Sequence, residues 1–269
     1  SGMTWGVEDL TVRFGSQRAV RAVTLALNPG SVHAVVGGDG AGKTTLLRVL
    51  AGIGLDVDGI VRIPGPGRIG YVPPEGGVFF DLSVAENMEF IADAYQLSSW
   101  QSRATTLLGR AGIDGFGERL AGKLSGGQRR KLAGSMALLP EPDLLVLDEV
   151  TTGVDPVSRM DLWRLVAAAA ADGAAVVLAT SYLDEAERAG HVLVLHDGVS
   201  LTSGNPQAVM AGMRGSIVDM ASPDDAATAW RRGRRWRQWH PDGSQTSPNG
   251  VTLEDVAIVA ELAAEGVAS

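Results

Sequence analysis

Apolar residues follow two distinct patterns along the chain. Residues 7–14 and 20–27 alternate in short β-like segments joined at Gly15-Ser16-Gln17, and Asn28-Pro29-Gly30 marks a turn. The runs at 32–36, 144–147 and 176–179 are continuously apolar and bounded by turn residues, the pattern of strands covered on both faces. Strands are also predicted at 60–63 and 68–72, out of a passage rich in Gly and Pro at 54–67, and a short helix over 44–51 stops at Gly52. From Asp81 the period becomes helical. Residues 84–97 put Val84, Met88, Ile91 and Tyr95 on one face, and 99–112 continue with Leu107, Leu108 and Ala111 apolar and Trp100 as core or partner surface. Further helices are predicted over 129–139, ended by Pro140 and Pro142, over 158–172 and over 183–189. Segments 191–195 and 199–202 flank Asp197-Gly198, a hairpin signal. Beyond them, 216–220 reads as a strand, 223–231 as a short helix, 234–239 as a strand and 252–265 as a helix capped by Thr252. The Arg and Trp interleaved at 231–239 suit nucleic acid or anionic lipid, but in an acidic chain they read rather as a solvated strand with Arg stems over Trp faces.

Strands alternating with helices over 269 residues indicate one large α/β domain with an appendage. At 45% hydrophobic and 20% charged residues the composition is that of a globular chain. A net charge of -8 argues against nucleic acid as a general partner, since phosphate backbones are gripped by excess Lys and Arg. Without cysteine there is no disulfide, thiolate metal site or Cys nucleophile. No apolar run approaches the roughly 20 residues that span a bilayer, so any membrane role needs a partner. Ser1-Gly2 before Met3 has the look of a tag remnant, and no signal-peptide layout follows.

Three stretches carry chemistry. Gly37-Gly38-Asp39-Gly40-Ala41-Gly42-Lys43-Thr44-Thr45, between a predicted strand and a predicted helix, fits G-x-x-x-x-G-K-[ST]. Its glycines let backbone N–H groups approach a triphosphate, Lys43 adds a full charge for the outer phosphates, and the Thr44 hydroxyl suits a Mg²⁺ ligand. Leu124-Ser125-Gly126-Gly127-Gln128 opens a helix, which makes either a second anion-binding N-terminus or a plain turn. The apolar run at 144–147 delivers Asp148-Glu149 to its C-terminal end, where open parallel sheets bind ligands. Asp148 can hold Mg²⁺ through water and Glu149 can orient or deprotonate an attacking water; the bland alternative is two carboxylates capping the next turn. Phe14 can stack on a purine or pack in the core.

The ordered set of phosphate loop, Leu-Ser-Gly-Gly-Gln, strand with Asp-Glu, turn Gly153-Val154-Asp155-Pro156 and Thr180-Ser181-Tyr182-Leu183-Asp184-Glu185-Ala186-Glu187 resembles the ATP-binding cassette of ABC transporters. The wording at 71–87 and 182–187 is similar to export-type cassettes. The resemblance covers about residues 5–210 and implies an α/β P-loop NTPase fold with a mixed central sheet, an N-terminal antiparallel β subdomain and a helical signature subdomain at about 79–139. It divides the chain into residues 1–3, a nucleotide-binding domain at 4–210 and a small α+β extension at 211–269. It implies ATP and Mg²⁺ as ligands, with Phe14 on adenine, Gly37 to Thr45 around the phosphates, Thr44 and Asp148 on the metal, and Glu149 as catalytic carboxylate. Ser125, Gly126, Gly127 and Gln128 then face the γ-phosphate of a second nucleotide-binding subunit, identical or different, and Asp155 lies in the dimer-contacting turn. The other partners implied are transmembrane subunits, with the chain cytoplasmic and peripheral on the inner face of the cell membrane.

The departures from the family pattern concern hydrolysis. Pro74 stands where the family has a Gln that reaches Mg²⁺ and water, and Pro offers no side-chain donor or acceptor. Glu75 reaches the metal only if the loop shifts by one residue. Ser181 stands where the switch His normally follows Thr, and it carries no positive charge at neutral pH. Gly38 and Asp39 replace Pro-Asn in a loop that works through backbone N–H groups, and Val150 replaces a Pro; neither change is expected to matter much. The expected function is an ATPase subunit powering transport, with a lean to export and slow intrinsic hydrolysis. The alternative is a hydrolysis-poor module paired with a competent cassette.

Overall fold

The computed structural model describes residues 4–243, 250–264 and 266, so residues 1–3, read above as a tag remnant, lie outside the described residues. Two apolar layers sandwich a central sheet. The first layer is an antiparallel sheet of β1 (Trp5–Phe14), β2 (Gln17–Leu27) and β4 (Val57–Arg62), in the order β2-β1-β4. The central sheet contains β3 (Val32–Val36), β5 (Ile69–Val72), β6 (Leu144–Asp148), β7 (Ala175–Ala179), β8 (His191–His196) and β9 (Val199–Gly204). Its order is β5-β6-β7-β3-β8-β9, parallel as far as β8, with β9 returning antiparallel through Asp197-Gly198.

The helices are α1 (Lys43–Leu50), α2 (Val84–Ala94), α3 (Gln101–Arg110), α4 (Gly126–Leu138), α5 (Pro156–Ala171), α6 (Leu183–Ala186), α7 (Pro206–Ala211) and α8 (Leu253–Ala264). Strands β6 and β7 are buried at every position because both faces are covered, and alternate side chains serve different cores. Leu144, Val146 and Val177 pack with α1 and the antiparallel sheet, whereas Leu145, Leu147 and Leu178 pack with helices α2 to α5. This double burial holds the C-terminal ends of β3 and β6 at one fixed level.

Three expectations need correction. Helix α2 ends at Ala94, so Tyr95 is its exposed C-cap, and Asn87 and Ala92 join Val84 and Met88 on the buried face instead. Asn87 is tolerated there because its amide satisfies Phe79 N–H (2.9 Å) and the carbonyls of Phe79 (3.0 Å), Leu82 (3.2 Å) and Ser83 (2.8 Å). The helix expected over 223–231 is a single 3₁₀ turn, Ala226–Thr228, running into strand β11 (Ala229–Arg232). That strand pairs with β12 (Arg235–His240), which also pairs with β10 (Ser216–Met220), and such non-local pairing overrides local helix preference.

The third correction is β12 itself, expected to be solvated. Arg231 does lie over the Trp236 ring at 5.7 Å, but Arg237 is 1% exposed. Its guanidinium pairs with the fully buried Asp255 of α8 and with Asp219 (3.1 Å), and donates to Gly250 O (2.6 Å). Leu253 and Val256 of α8 meanwhile close over Ala186, Val192 and Val194, so the last helix shares a core with α6 and β8. No helix among the described residues is long and apolar enough to cross a membrane.

Candidate functional site

The phosphate-loop pattern becomes a structural loop between β3 and α1. Gly42 caps α1 at φ 99°, where a Cβ would lie 2.5 Å from Ala19 O, so only glycine lets the loop seat against β2. No side chain caps α1 and no acidic residue lies in its first turn. The positive end of the helix is therefore uncompensated by the chain and suits an anion. Lys43 is buried, and its Nζ donates to Gly37 O (2.8 Å) and Gly38 O (3.0 Å) and lies 3.5 Å from Glu149 Oε1. The loop opens into a cleft of about 470 Å³ lined by Asp39 to Thr45, Glu149, Gln17 to Ala19, Arg21 and Asp197.

The acidic pair sits at the end of β6, with β7 between it and the strand that carries the loop. Asp148 ends β6 fully buried, and Thr44 Oγ1 donates to its Oδ1 at 3.3 Å. Its Oδ2 is buried with no protein partner. Burial pushes the Asp148 pKa up, and the Thr44 hydroxyl bond pulls against that shift. A buried carboxylate oxygen without a partner, beside a hydroxyl, fits a hard cation that keeps most of its ligands as water and phosphate oxygen. The described residues contain no cluster of three or more His, Asp or Glu to cage a metal by themselves, so phosphate oxygens would have to complete the shell. Glu149 adopts φ 51°, a strained backbone for a non-glycine residue, anchored by its N–H to Ala179 O at 3.1 Å. Its carboxylate lines the cleft.

Lys43, Thr44, Asp148 and Glu149 thus converge, and other candidates do not. Ser125 caps α4 in a reciprocal pair: Gln128 N–H donates to Ser125 Oγ (3.2 Å) and Ser125 N–H to Gln128 Oε1 (2.9 Å). Gly127 lies against the start of α5, where a Cβ would be 2.6 Å from Ser158 Oγ. None of Ser125, Gly126, Gly127 and Gln128 lines the cleft, although Ser125 and Gly126 are exposed. Asp155 caps α5 through the N–H groups of Ser158 (2.9 Å) and Val157 (3.1 Å), and the bonds from Ser158 above all hold its pKa low. Phe14 is 49% exposed and outside the cleft lining, three residues before Gln17, which lines it. Ser181 is exposed just beyond β7 and does not line the cleft either.

Sequence reasoning missed two groups. Arg18, Arg21 and Asp197 reach the cleft because the β8–β9 turn lies on the loop: Gly198 N–H donates to Ala41 O (3.0 Å), and Arg21 donates through Nη2 to Asp197 O (2.7 Å). Only Asp197-Gly198 carried a local signal, for the hairpin. Arg130 on α4 is the other. Its Nη1 donates weakly to Pro73 O (3.4 Å), and burial lowers its pKa against the opposing charges of Glu75, Glu149 and Asp148. Helix α4 therefore brings a cation next to the Pro74 loop, within the field of these acids.

A family model described as ABC transporter matches residues 20–152. The chain is 39% identical over 219 residues to the probable multidrug ABC transporter ATP-binding protein YbhF of Escherichia coli (strain K12), covering 77% of this chain and 38% of that protein. It therefore spans well under half the length of that relative. It is 32% identical to the Nod factor export ATP-binding protein I of Paraburkholderia xenovorans (strain LB400), over 80% of this chain and 75% of that one. It is 33% identical to a daunorubicin resistance ATP-binding protein of Streptomyces coeruleorubidus, over 81% of this chain and 72% of that one. Among solved structures, an ATP-binding subunit of an ABC transporter superposes with a TM-score of 0.71 at 26% identity, covering 78% of this chain and 92% of the other.

Proposed function

The chain belongs to the ABC transporter family, and from that premise we propose that it is the ATP-binding and hydrolysing subunit of an exporter whose membrane-spanning parts are separate chains. The observation that carries the reading is the convergence of Lys43, Thr44, Asp148 and Glu149 around one cleft at the uncapped start of α1. The export direction rests on the relatives, whose names include Nod factor export, multidrug transport and daunorubicin resistance.

In this reading the N–H groups of Gly37 to Thr45 bind the phosphates, Lys43 leaves the loop carbonyls for the outer phosphates, and Phe14 covers the adenine at the mouth of the cleft. Thr44 and Asp148 hold Mg²⁺, which when bound neutralises phosphate oxygens. Glu149, 3.5 Å from Lys43, orients or deprotonates the water. Ser125 and Gly126, exposed and away from the chain's own cleft, serve the nucleotide of a second subunit.

The division into a nucleotide-binding part at 4–210, its helical segment at 79–139 and an extension at 211–269 follows the same reading. The exposed apolar side chains Phe79, Phe80, Phe90 and Leu120 on the helical segment support it as the face for the transmembrane subunits, with the chain peripheral on the inner face of the membrane.

The test is ATP-dependent association of the Glu149→Gln chain, followed by light scattering with and without ATP and Mg²⁺. Dimer with ATP, lost in Lys43→Ala and in Ser125→Arg, is the expected result. No nucleotide binding, or association indifferent to Ser125→Arg, would sink the shared-site reading. Pro74 and the exposed Ser181 favour one second reading, in which the chain closes on ATP with little turnover and pairs with a competent cassette.

A further inference from the structure

Glu185 is a carboxylate that the proposed chemistry leaves without a task, yet it is 1% exposed. It sits on α6, just past β7. Its Oε2 accepts from Thr151 Oγ1 and from Thr180 Oγ1, both at 2.7 Å, and its Oε1 faces Arg159 Nε at 3.6 Å. Thr151 and Thr180 are themselves buried. One buried anion therefore joins three segments: the turn that follows Glu149, the end of β7 that precedes Ser181, and the first turns of α5.

Backbone hydrogen bonds tie the same segments, among them Thr180 N–H to Val35 O at 3.2 Å. Glu149 is held by its N–H to Ala179 O (3.1 Å), and the turn beyond it by Thr152 N–H to Glu149 O (3.1 Å). Thr180 Oγ1 also accepts from Tyr182 N–H at 3.0 Å, so the hydroxyl that Glu185 grips sets the backbone on both sides of Ser181. Arg159 stacks over the Tyr182 ring at 4.4 Å, one residue from Ser158, which packs on Gly127. Burying a charge is costly unless it is paired, and a packing role alone would be met by an apolar side chain. Here the charge is spent on two short hydroxyl bonds across an irregular turn, with Oε1 and Arg159 Nε lacking hydrogen bonds.

We infer that Glu185 is a positioning residue for hydrolysis: it fixes Glu149 and Ser181 relative to each other and to α5, and it touches neither nucleotide nor water. This rests on the ATPase reading above. A misplacement of about 1 Å costs on the order of 10²-fold in rate, so the effect falls on kcat and spares binding.

The test uses the full chain with Glu185→Ala, Glu185→Gln, Thr151→Val and Thr180→Val. Single-turnover ATP cleavage, nucleotide affinity and amide hydrogen exchange are read together. Expected is a loss in cleavage rate of about 10- to 100-fold for Glu185→Ala with affinity within about threefold of wild type. Glu185→Gln, which keeps an oxygen for both hydroxyls, loses less, and each valine variant is intermediate. Amides of Glu149 and Thr152 exchange faster while β6 and β7 stay protected. Wild-type cleavage and exchange in Glu185→Ala would overturn the inference, as would parallel loss of cleavage, affinity and global protection. If Glu185→Ala does not fold, the two valine variants decide by the same criteria. If wild type cleaves no faster than Glu149→Gln, the ATPase reading falls and the role in hydrolysis falls with it; brisk wild-type cleavage left unchanged in Glu185→Ala overturns the inference alone.

Discussion

His33 offers a quantitative probe of the strand that carries the phosphate loop. It lies on β3, is 2% exposed, and its Nε2 accepts Asn28 N–H at 3.1 Å, which requires a neutral ring. Burial, and then the charge of His191, whose ring lies tilted 5.5 Å away, lower its pKa from 6.5 to about 4. The unfolded chain binds this proton first as pH falls. The contribution is fully present above pH 6.5, erodes below it, and is exhausted near pH 4. The full span corresponds to roughly 3 kcal/mol, of which about 2 kcal/mol is gone by pH 5. The perturbation is His33→Gln, whose amide oxygen can still accept the Asn28 N–H but does not titrate. Urea unfolding of both chains from pH 7.5 to 4.5 should give stability curves that diverge in favour of the variant as pH falls. The lowered His191 pKa, also due to burial, contributes acid sensitivity common to both. Parallel curves, or an NMR titration of His33 near pH 6.5, would refute the argument.

Other outcomes follow from single contacts. Arg237→Ala leaves Asp255 buried without its main partner and should cost about 3–5 kcal/mol, read as a lowered unfolding midpoint. Asp148→Asn removes the carboxylate that accepts from Thr44 Oγ1 and should weaken the Mg²⁺ dependence of nucleotide binding by at least about tenfold, measured by titrating Mg²⁺ at fixed ATP. Ser181→His supplies a titratable group where the chain has a hydroxyl and should raise turnover by about 10-fold or more; an unchanged rate would mean that the missing His is not what limits hydrolysis.

Much of this architecture was legible because the relevant signals are local. The apolar runs at 144–147 and 176–179 could only be strands covered on both sides, and the loop at 37–45 carries its own backbone chemistry in its glycines. Capping gave further definition: Ser125 with Gln128 starts α4 three residues before the start expected from periodicity. What stayed hidden depends on distant segments. Gln17 reads as a turn residue and Arg21 as a plain strand residue until the β8–β9 turn folds onto the loop. Arg237 reads as a solvated strand residue until Asp219 and Asp255 close around it. Segment 223–231 has helical composition, but its Trp230 pairs with Arg237 across an antiparallel ladder. Tyr95 fits the helical period, yet the helix stops one residue earlier, with Gln96 at φ 53°. Glu185 was visible only as one acid among several in 184–187, because nothing local marks which of them turns inward.

The most direct test of the whole account is steady-state ATP turnover of the purified chain beside Glu149→Gln, with Mg²⁺ present. The arrangement of Glu149 next to Lys43 and the cleft predicts a modest wild-type rate that the substitution lowers by about 10²-fold or more, with ATP binding kept. A wild-type rate no faster than that of Glu149→Gln would contradict it.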